Sequence, residues 1–370
     1  MRWDPKALPA AVLEQRTVRL QSALRAAQFD ALVIYTNIVR PAAVTYLTAF
    51  TPYWSDALLL VPREGPPVFA TALSKRVANW IRSTNPLSEI VHSPKPGVVI
   101  GERLRADGSV HRVGVLEYDM LPEGIAEDLA GAVSDVTFAD ATKVFTSARS
   151  AIDTYEARLL SHADRLVMSA LGQERPAICQ AGELLGEIEY DLRCAGAEET
   201  YLSIATDLHK GSQLQRNPGA RPVGAYFAVS VAAAWKGSWV RRTRCFARNA
   251  AELRVVSECD TWWHGALQSF YSGSGIGQQI NLALAALPRA SLRYWAVEGC
   301  RASYPLEVLG SSSSTDFIGC PGSIAMLSVG LDLDQTPWVV AAPFIVGDDR
   351  WYPLTGDTQD RTTASGAAQP

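Results

Sequence analysis

The sequence predicts an α/β domain over residues 1–148 and an α+β domain over residues 149–356, followed by a disordered tail over residues 357–370. Two observations carry this prediction. Short apolar runs alternate with amphipathic helical segments in the first part, whereas long helices and an alternating hairpin fill the second. The length of 370 residues also exceeds the roughly 250–300 residues at which a single hydrophobic core stops growing.

The first domain is predicted as a succession of helices and strands. It opens with an amphipathic helix over residues 11–27, whose apolar positions recur at steps of three and four. The three strands predicted next are "FDALVIYT", "SDALLLVP" and "PPVFATAL". The remaining elements are the helix "SKRVANWIRST", the strand "HRVGVLEY" and the helix "PEGIAEDLAGAV". This order is typical of an α/β layer structure.

The second domain is predicted to combine helices with antiparallel strands. Its first two helices are "SAIDTYEARLLSHADRLVMSALGQE" and "GELLGEIEYDLRCAG". Residues 229–246 alternate like a β-hairpin, and Gly237 stands where the chain would turn. Two further helices are predicted around "DTWWHGALQSFY" and "IGQQINLALAAL". The glycines around Gly275 indicate the start of the last helix rather than a phosphate loop, because no suitable strand leads into them.

The composition is that of a packed globular protein, with 48% hydrophobic and 19% charged residues. A formal net charge of -4 gives no general attraction to nucleic acids or to anionic membrane surfaces, so neither is expected as a partner. The sequence shows no membrane-spanning run and no secretory signal, so we expect a cytoplasmic protein. Six cysteines without a CxxC pair indicate reduced thiols rather than disulfides or a zinc site.

The order of several short motifs resembles the creatinase, aminopeptidase P and prolidase family. The motifs, which span residues 15–356, are "RLQSALRAAQFDALVIYTNI", "TYLTAF", "DALLLV", "GAYFAVSVAAAWKGSWVRRTR", "EGCRASYPLE", "CPGSIAMLSVG" and "WYPLTG". The resemblance implies a creatinase-like amino-terminal α/β domain followed by a catalytic-type domain with the pita-bread fold. It also implies a homodimer in which the amino-terminal domain of one chain covers the cavity of its partner.

Peptidases of this family hold two divalent cations with two Asp, one His and two Glu side chains. In this sequence the corresponding positions are occupied by Ser230, Arg241, Cys300, Ser328, and either Ala341 or Ala342. Hard cations require oxygen donors such as carboxylates, and two bridged ions activate water for hydrolysis. Because every one of these ligands is replaced, the resemblance implies no bound metal, and no other cofactor is expected.

Three residues are predicted as candidates for catalysis. The guanidinium of Arg241 could bind a substrate carboxylate, or the side chain could turn outward or pair with a nearby acid. Creatinase works without metal through a histidine, and His209 could serve as this acid and base. The aligned position is nearer Gln213, which leaves a surface role for His209 open. Glu307 falls near the former metal site, either as an acid or base or as an ion-pair partner of Arg241 or Arg244.

Further residues are predicted to line the site. Those assigned to substrate binding are Ser230, Arg244, Trp239, Cys300, Tyr304 and Ser328. Most of the other tryptophans are expected to pack in the core. We therefore predict a metal-independent enzyme that hydrolyses, eliminates from or cyclises a small amino-acid-derived substrate. The alternative is a non-catalytic pseudo-peptidase that binds a peptide or a small molecule, and fold alone does not distinguish the two.

Overall fold

The computed structural model describes residues 3–52, 55–173, 175, 180–216, 218–314 and 316–354. The chain divides into two compact units at Ser150 and Ala151, and the segment Cys300–Pro305 belongs to the first unit. The predicted tail over residues 357–370 and Cys179 lie outside the described residues. The five described cysteines are present as thiols.

The first unit is an α/β structure built on a six-stranded sheet in the order β4-β3-β2-β1-β5-β6. Its helices are α1 (Ala10–Ala26), α2 (Ala42–Thr48), α3 (Ala78–Thr84), α4 (Pro96–Ala106), α5 (Glu123–Ala132) and α6 (Thr142–Ala148). Its strands are β1 (Ala31–Thr36), β2 (Ala57–Pro62), β3 (Val68–Thr71), β4 (Glu89–His92), β5 (Arg112–Val115) and β6 (Thr137–Asp140). The sheet is mixed, because β1 pairs with β5 in parallel and with β2 in antiparallel orientation.

The nearly continuous run of apolar residues in β1 is explained by the burial of this strand on both faces. All six of its residues are buried. Leu32 and Ile34 pack into one core with α1 and α2, while Val33 and Tyr35 pack into another with α4 and α5. A strand that is covered on both faces needs apolar side chains at every position.

The second unit is an α+β structure whose strands form one antiparallel sheet in the order β11-β10-β12-β13-β9-β8-β7, with β14 paired to β13. Its helices are α7 (Thr154–Gly172), α8 (Ala181–Cys194), α9 (Ala250–Leu267) and α10 (Ile276–Ala283). Its strands are β7 (Glu199–Ala205), β8 (Tyr226–Trp235), β9 (Ser238–Ala247), β10 (Ala290–Gly299), β11 (Glu307–Ser311), β12 (Ile324–Leu333), β13 (Thr336–Val346) and β14 (Trp351–Pro353). The predicted order of helices, hairpin and strands is confirmed.

The core of the second unit consists mainly of two clusters. One lies between the helices α7 and α8 and the hairpin of β8 and β9. The other surrounds α9 and α10 and contains four of the tryptophans assigned to the core, namely Trp262, Trp263, Trp295 and Trp338. Helix α9 begins earlier than predicted, because the side chain of Asn249 accepts a hydrogen bond from the backbone N–H of Glu252 and caps the first turn.

Gly275 is confirmed as the start of α10. A Cβ atom at this position would lie 2.0 Å from Oδ2 of Asp316, whose other oxygen accepts a hydrogen bond from the backbone N–H of Gly277 at 2.9 Å. Only glycine lets this carboxylate cap the helix. Among the described helices, none has both the length and the hydropathy required to cross a bilayer.

The substitution Gly275→Ala is expected to lower the free energy of unfolding by about 1–3 kcal/mol, because the added methyl group displaces the capping carboxylate. The matched control is Gly265→Ala on α9, where an added Cβ meets no heavy atom within 4 Å. Alanine there is expected to raise stability by up to about 1 kcal/mol through its helix propensity. Urea denaturation measures the free energy of unfolding of both variants. Equal changes in Gly275→Ala and Gly265→Ala would contradict the capping argument.

Candidate functional site

The β8–β9 hairpin is closed by a two-residue turn. Lys236 and Gly237 have φ values of 50° and 74°, which are the left-handed values that a type I′ hairpin turn requires. The backbone N–H of Gly237 donates to the Glu198 carboxylate at 3.1 Å. The resulting register pairs Ser230 with Thr243. The predicted turn at Gly237 is therefore confirmed.

A row of small and hydroxyl-bearing residues crosses the sheet from this pair. Directly paired residues on neighbouring strands project from the same face of a sheet. The row, which we call the hydroxyl row, takes one residue from each of six neighbouring strands: Ser203, Ser230, Thr243, Ala341, Ser328 and Ala296. The hydroxyl of Thr243 donates to that of Ser230 at 2.9 Å, and both residues are buried. The row gives this face a strip of small, weakly polar side chains.

The hydroxyl row contains three positions that the resemblance assigns to metal ligands. Ser230 and Ser328 replace an Asp and a Glu, and they lie on the same face although they are far apart in sequence. For the last ligand position, Ala341 belongs to the row, whereas Ala342 pairs with Leu327 and projects from the opposite face. The pairing therefore favours Ala341 over Ala342 as the equivalent position.

Arg241 lies on the same face as the hydroxyl row, two residues before Thr243 on β9. Its Nε lies 3.2 Å from Oε2 of Glu298, and the two side chains are 30% and 14% exposed. Neither of these two atoms is aligned for a hydrogen bond with any described residue. Arg241 is therefore paired with an acid, which is one of the alternatives left open by the sequence, and the acid is Glu298.

The surroundings of Glu298 raise the pKa of its carboxyl group. Burial raises the pKa of Glu298 above its ordinary value of 4.5, and the positive charge of Arg241 offsets only part of this effect. A carboxyl group with a raised pKa keeps its proton to a higher pH than a free carboxyl group, which favours a role in general acid–base catalysis. The ion pair therefore combines a fixed positive charge with a group suited to proton transfer.

Glu307 lies at the same end of the β10–β11 ladder as Glu298. It begins β11 and is paired with Gly299. The preceding residue, Leu306, packs against the small cluster of the β8–β9 hairpin that includes Trp239. Sequence reasoning selected Glu307 as the acid nearest to the former metal site. The structure adds Glu298, which lies two residues beyond Ala296 on β10 and therefore on the same face as the hydroxyl row.

The other two arginines of the "RRTR" motif project from the opposite face of β9. Nε and Nη2 of Arg242 donate to the two carboxylate oxygens of Asp164 on α7, at 2.5 and 2.8 Å. Arg244 is exposed, and its Cζ lies 5.6 Å from the ring centroid of Phe246. The alternation of β9 therefore separates Arg244 from Arg241 and from the hydroxyl row.

An aromatic pair bridges the strands beside Arg241. The rings of Trp239 on β9 and Tyr201 on β7 are stacked, with centroids 5.0 Å apart and planes at 15°. They flank β8, where the small side chain of Ala232 is paired with both Tyr201 and Arg241. Cζ of Arg216 lies 4.6 Å from the Tyr201 centroid. The predicted lining residue Trp239 is thus fixed within a stack of two rings and a guanidinium.

His209 lies near the opposite end of β8. Its side chain is 50% exposed, and Nε2 lies 2.9 Å from Oε1 of Glu252 at the start of α9. Its ring is 5.5 Å from that of Tyr226, which precedes Ser230 by four residues, or about 13 Å of strand. These contacts are those expected if His209 has a surface role, which the sequence left open. They do not bring His209 to Arg241.

Cys300 and Tyr304 belong to the first unit of the chain. Within that unit, Cζ of Arg40 lies 5.4 Å from the ring centroid of Tyr304. The backbone carbonyl of Ser303 accepts a hydrogen bond from the N–H of Ala42 at 3.0 Å. The structure thus groups these two predicted lining residues with α2 of the amino-terminal unit, and their role in binding stays a prediction.

The residues of this face do not fit the two divalent cations that the resemblance implies. The hydroxyl row offers only hydroxyl and methyl groups, and the charged groups beside it include the guanidinium of Arg241 and the carboxylate of Glu298 paired with it. Within the described ranges, no three His, Cys, Asp or Glu side chains are grouped so that they could hold a metal ion. Hard cations need several oxygen ligands at once, so this donor set does not suit them.

Comparisons with known proteins agree with this architecture. Residues 16–151 match the family model described as the Creatinase/Prolidase N-terminal domain. Among curated proteins, no sequence match was found.

Solved structures extend the match over most of the chain. An X-Pro aminopeptidase from Thermotoga maritima is 14% identical with a TM-score of 0.70, covering 90% of this chain and 97% of its own. The Xaa-Pro dipeptidase from Bacillus anthracis is 16% identical with a TM-score of 0.69, covering 93% and 97%. The prolidase from Pyrococcus horikoshii OT3 is 13% identical with a TM-score of 0.69, covering 92% and 98%. At this level of identity the likeness shows the fold.

Proposed function

Because residues 16–151 belong to the creatinase/prolidase N-terminal domain family and the chain has the pita-bread fold of prolidases, we propose that this protein is a metal-independent enzyme. It acts on a small amino-acid-derived substrate at the face that carries the hydroxyl row. The observation that carries the proposal is the Arg241–Glu298 pair, and the resemblance assigns the position of Arg241 to a ligand carboxylate. The proposal includes the cytoplasmic homodimer expected from the sequence.

Arg241 supplies the positive charge in this mechanism. Its planar guanidinium can bind a substrate carboxylate through two parallel hydrogen bonds, or stabilise negative charge that develops during the reaction. Its Nε is buried against Glu298 and is not engaged in an aligned hydrogen bond, so a substrate group that displaces Glu298 breaks no aligned hydrogen bond at this atom. Ser230 and Ser328 offer hydroxyl groups that can orient polar substrate atoms.

Glu298 and Glu307 are the candidates for proton transfer. Hydrolysis, elimination and cyclisation all require a group that removes a proton from one atom and returns it to another. The raised pKa of Glu298 suits it to this task, and Glu307 lies at the same end of the ladder. His209 remains a third candidate, although its contacts place it toward the other end of β8.

The proposal is tested by incubating the purified protein with small-molecule extracts of its source organism and following their masses. We expect particular compounds to disappear with the natural protein and to persist with the double variant Arg241→Met/Glu307→Gln. The control is Arg350→Gln, which changes an exposed arginine on the ring of Tyr352 and is expected to leave turnover unchanged.

Two outcomes would contradict the proposal. Compounds that bind but are recovered unchanged would indicate the non-catalytic binding protein instead. Turnover that is abolished by a chelator and restored by added manganese would show that a metal is required. Sedimentation of the purified protein tests the homodimer separately.

A further inference from the structure

A second arginine lies at the edge of the hydroxyl row. Gln215 and Ile204 exchange both backbone hydrogen bonds, at 2.9 and 3.0 Å, so the segment before Arg216 runs antiparallel to β7. Arg216 is the next residue, where the chain bends away from this pairing. Its guanidinium lies over the ring of Tyr201, which is two residues from Ser203 on β7 and therefore on the same face as the hydroxyl row.

The side chain of Arg216 contacts an aromatic ring, but among the described residues no acidic group neutralises its charge. Its guanidinium lies 4.6 Å from the ring centroid of Tyr201, which is itself stacked on Trp239. Within the part of the chain that the structure describes, no acidic group lies within ion-pair distance of Arg216. A planar guanidinium stacked on a ring keeps its N–H donors directed outward for an anion.

The two arginines are anchored on different strands of the sheet. Tyr201, Ala232 and Arg241 are paired across three neighbouring strands, so Tyr201 and Arg241 lie about 10 Å apart. Arg216 extends over the ring of Tyr201, which is stacked on Trp239, the residue two positions before Arg241 on β9. Across this spacing, a molecule with an acidic group at each end can pair with both cations at once.

On the basis of the proposed function, we infer that the substrate carries two carboxylates, as an acidic amino acid does, with one bound by Arg216 and the other by Arg241. The incoming carboxylate takes the place of Glu298 at Arg241 and converts a misaligned ion pair into a bidentate one. Glu298 is then released beside the bound molecule. Arg216 is therefore a specificity-determining residue of the site.

The test measures binding by isothermal titration calorimetry with four probes: L-glutamate, glutarate, L-glutamine and inorganic phosphate. We expect the two dicarboxylates to bind at least about tenfold more tightly than L-glutamine or phosphate. The variants Arg216→Gln and Arg241→Gln should each remove this preference, while Arg216→Lys should retain part of it. The matched control is Arg350→Gln, because Arg350 is also exposed and lies 5.1 Å from a tyrosine ring centroid.

Several results would overturn the inference. Equal binding of glutarate and L-glutamine would do so, as would an Arg216→Gln variant that keeps the natural preference while its circular dichroism is unchanged. Dicarboxylate binding through both arginines without turnover in the extract assay would support the inference and contradict the enzyme. A neutral or singly charged substrate that Arg216→Gln still turns over would support the enzyme and contradict the inference.

Discussion

Replacing Asp164 by alanine is expected to lower the free energy of unfolding by about 3–5 kcal/mol. Asp164 lies on α7 with its side chain 1% exposed, and it accepts two hydrogen bonds from Arg242 on β9. Burial raises the pKa of this carboxyl group, and the guanidinium of Arg242 opposes that shift. Removing the carboxylate leaves the mostly buried guanidinium without its partner, between a helix and the central hairpin.

Urea denaturation of three variants separates this effect from a general loss of packing. The double variant Asp164→Leu/Arg242→Met should recover much of the lost stability, because apolar groups of similar size replace both charges. The control Asp332→Ala removes a carboxylate that is 33% exposed and paired with Arg293, and we expect a loss of at most about 1 kcal/mol. A loss as small as this in Asp164→Ala would refute the argument.

Local signals explain which parts of the fold were predictable. The turn at Gly237 and the helix start at Gly275 depend on residues that are close in sequence, and both were predicted. Strands β4 and β6 were not predicted, because "EIVH" and "TFAD" are short, partly exposed edge strands. Their pairing with the sheet, rather than their own pattern, gives them their structure.

In the candidate site, too, features set by residues close in sequence were predictable, whereas features set by pairing in the sheet were not. The positions of Ser230 and Arg241 on one face follow from the hairpin alone. The contact between Arg241 and Glu298 depends on pairing across four strands, and an irregularity in β10 between Leu292 and Tyr294 shifts the alternation before it reaches Glu298. The position of Arg216 depends on a single bridge to β7. Neither contact has a signal in the local sequence.

Replacing Arg241 by methionine is expected to lower the free energy of unfolding by about 2 kcal/mol at pH 8, because it leaves the buried carboxylate of Glu298 without its counter-charge. Burial already raises the pKa of Glu298 in the folded protein. Without the positive charge of Arg241, this pKa rises further. The unfolded chain, in which Glu298 is exposed, keeps the ordinary value.

The direction of the pH dependence follows from this difference. When the pKa is higher in the folded state, the unfolded chain releases its proton first as the pH rises, so stability falls between the unfolded and folded values. In Arg241→Met this window is wider than in the natural protein. The two proteins should therefore be nearly equally stable at about pH 4 and should diverge as the pH rises through the folded pKa of Glu298.

The variant Glu298→Gln provides the control, because it removes the titrating group and keeps its shape. Arg241→Met/Glu298→Gln compared with Glu298→Gln should show a stability difference that no longer changes with pH. Urea denaturation from about pH 4 to pH 8 measures all four proteins. A difference between Arg241→Met and the natural protein that stays constant over this range would mean that Glu298 does not respond to Arg241. The ion pair would then not be the electrostatic element on which the proposed chemistry depends.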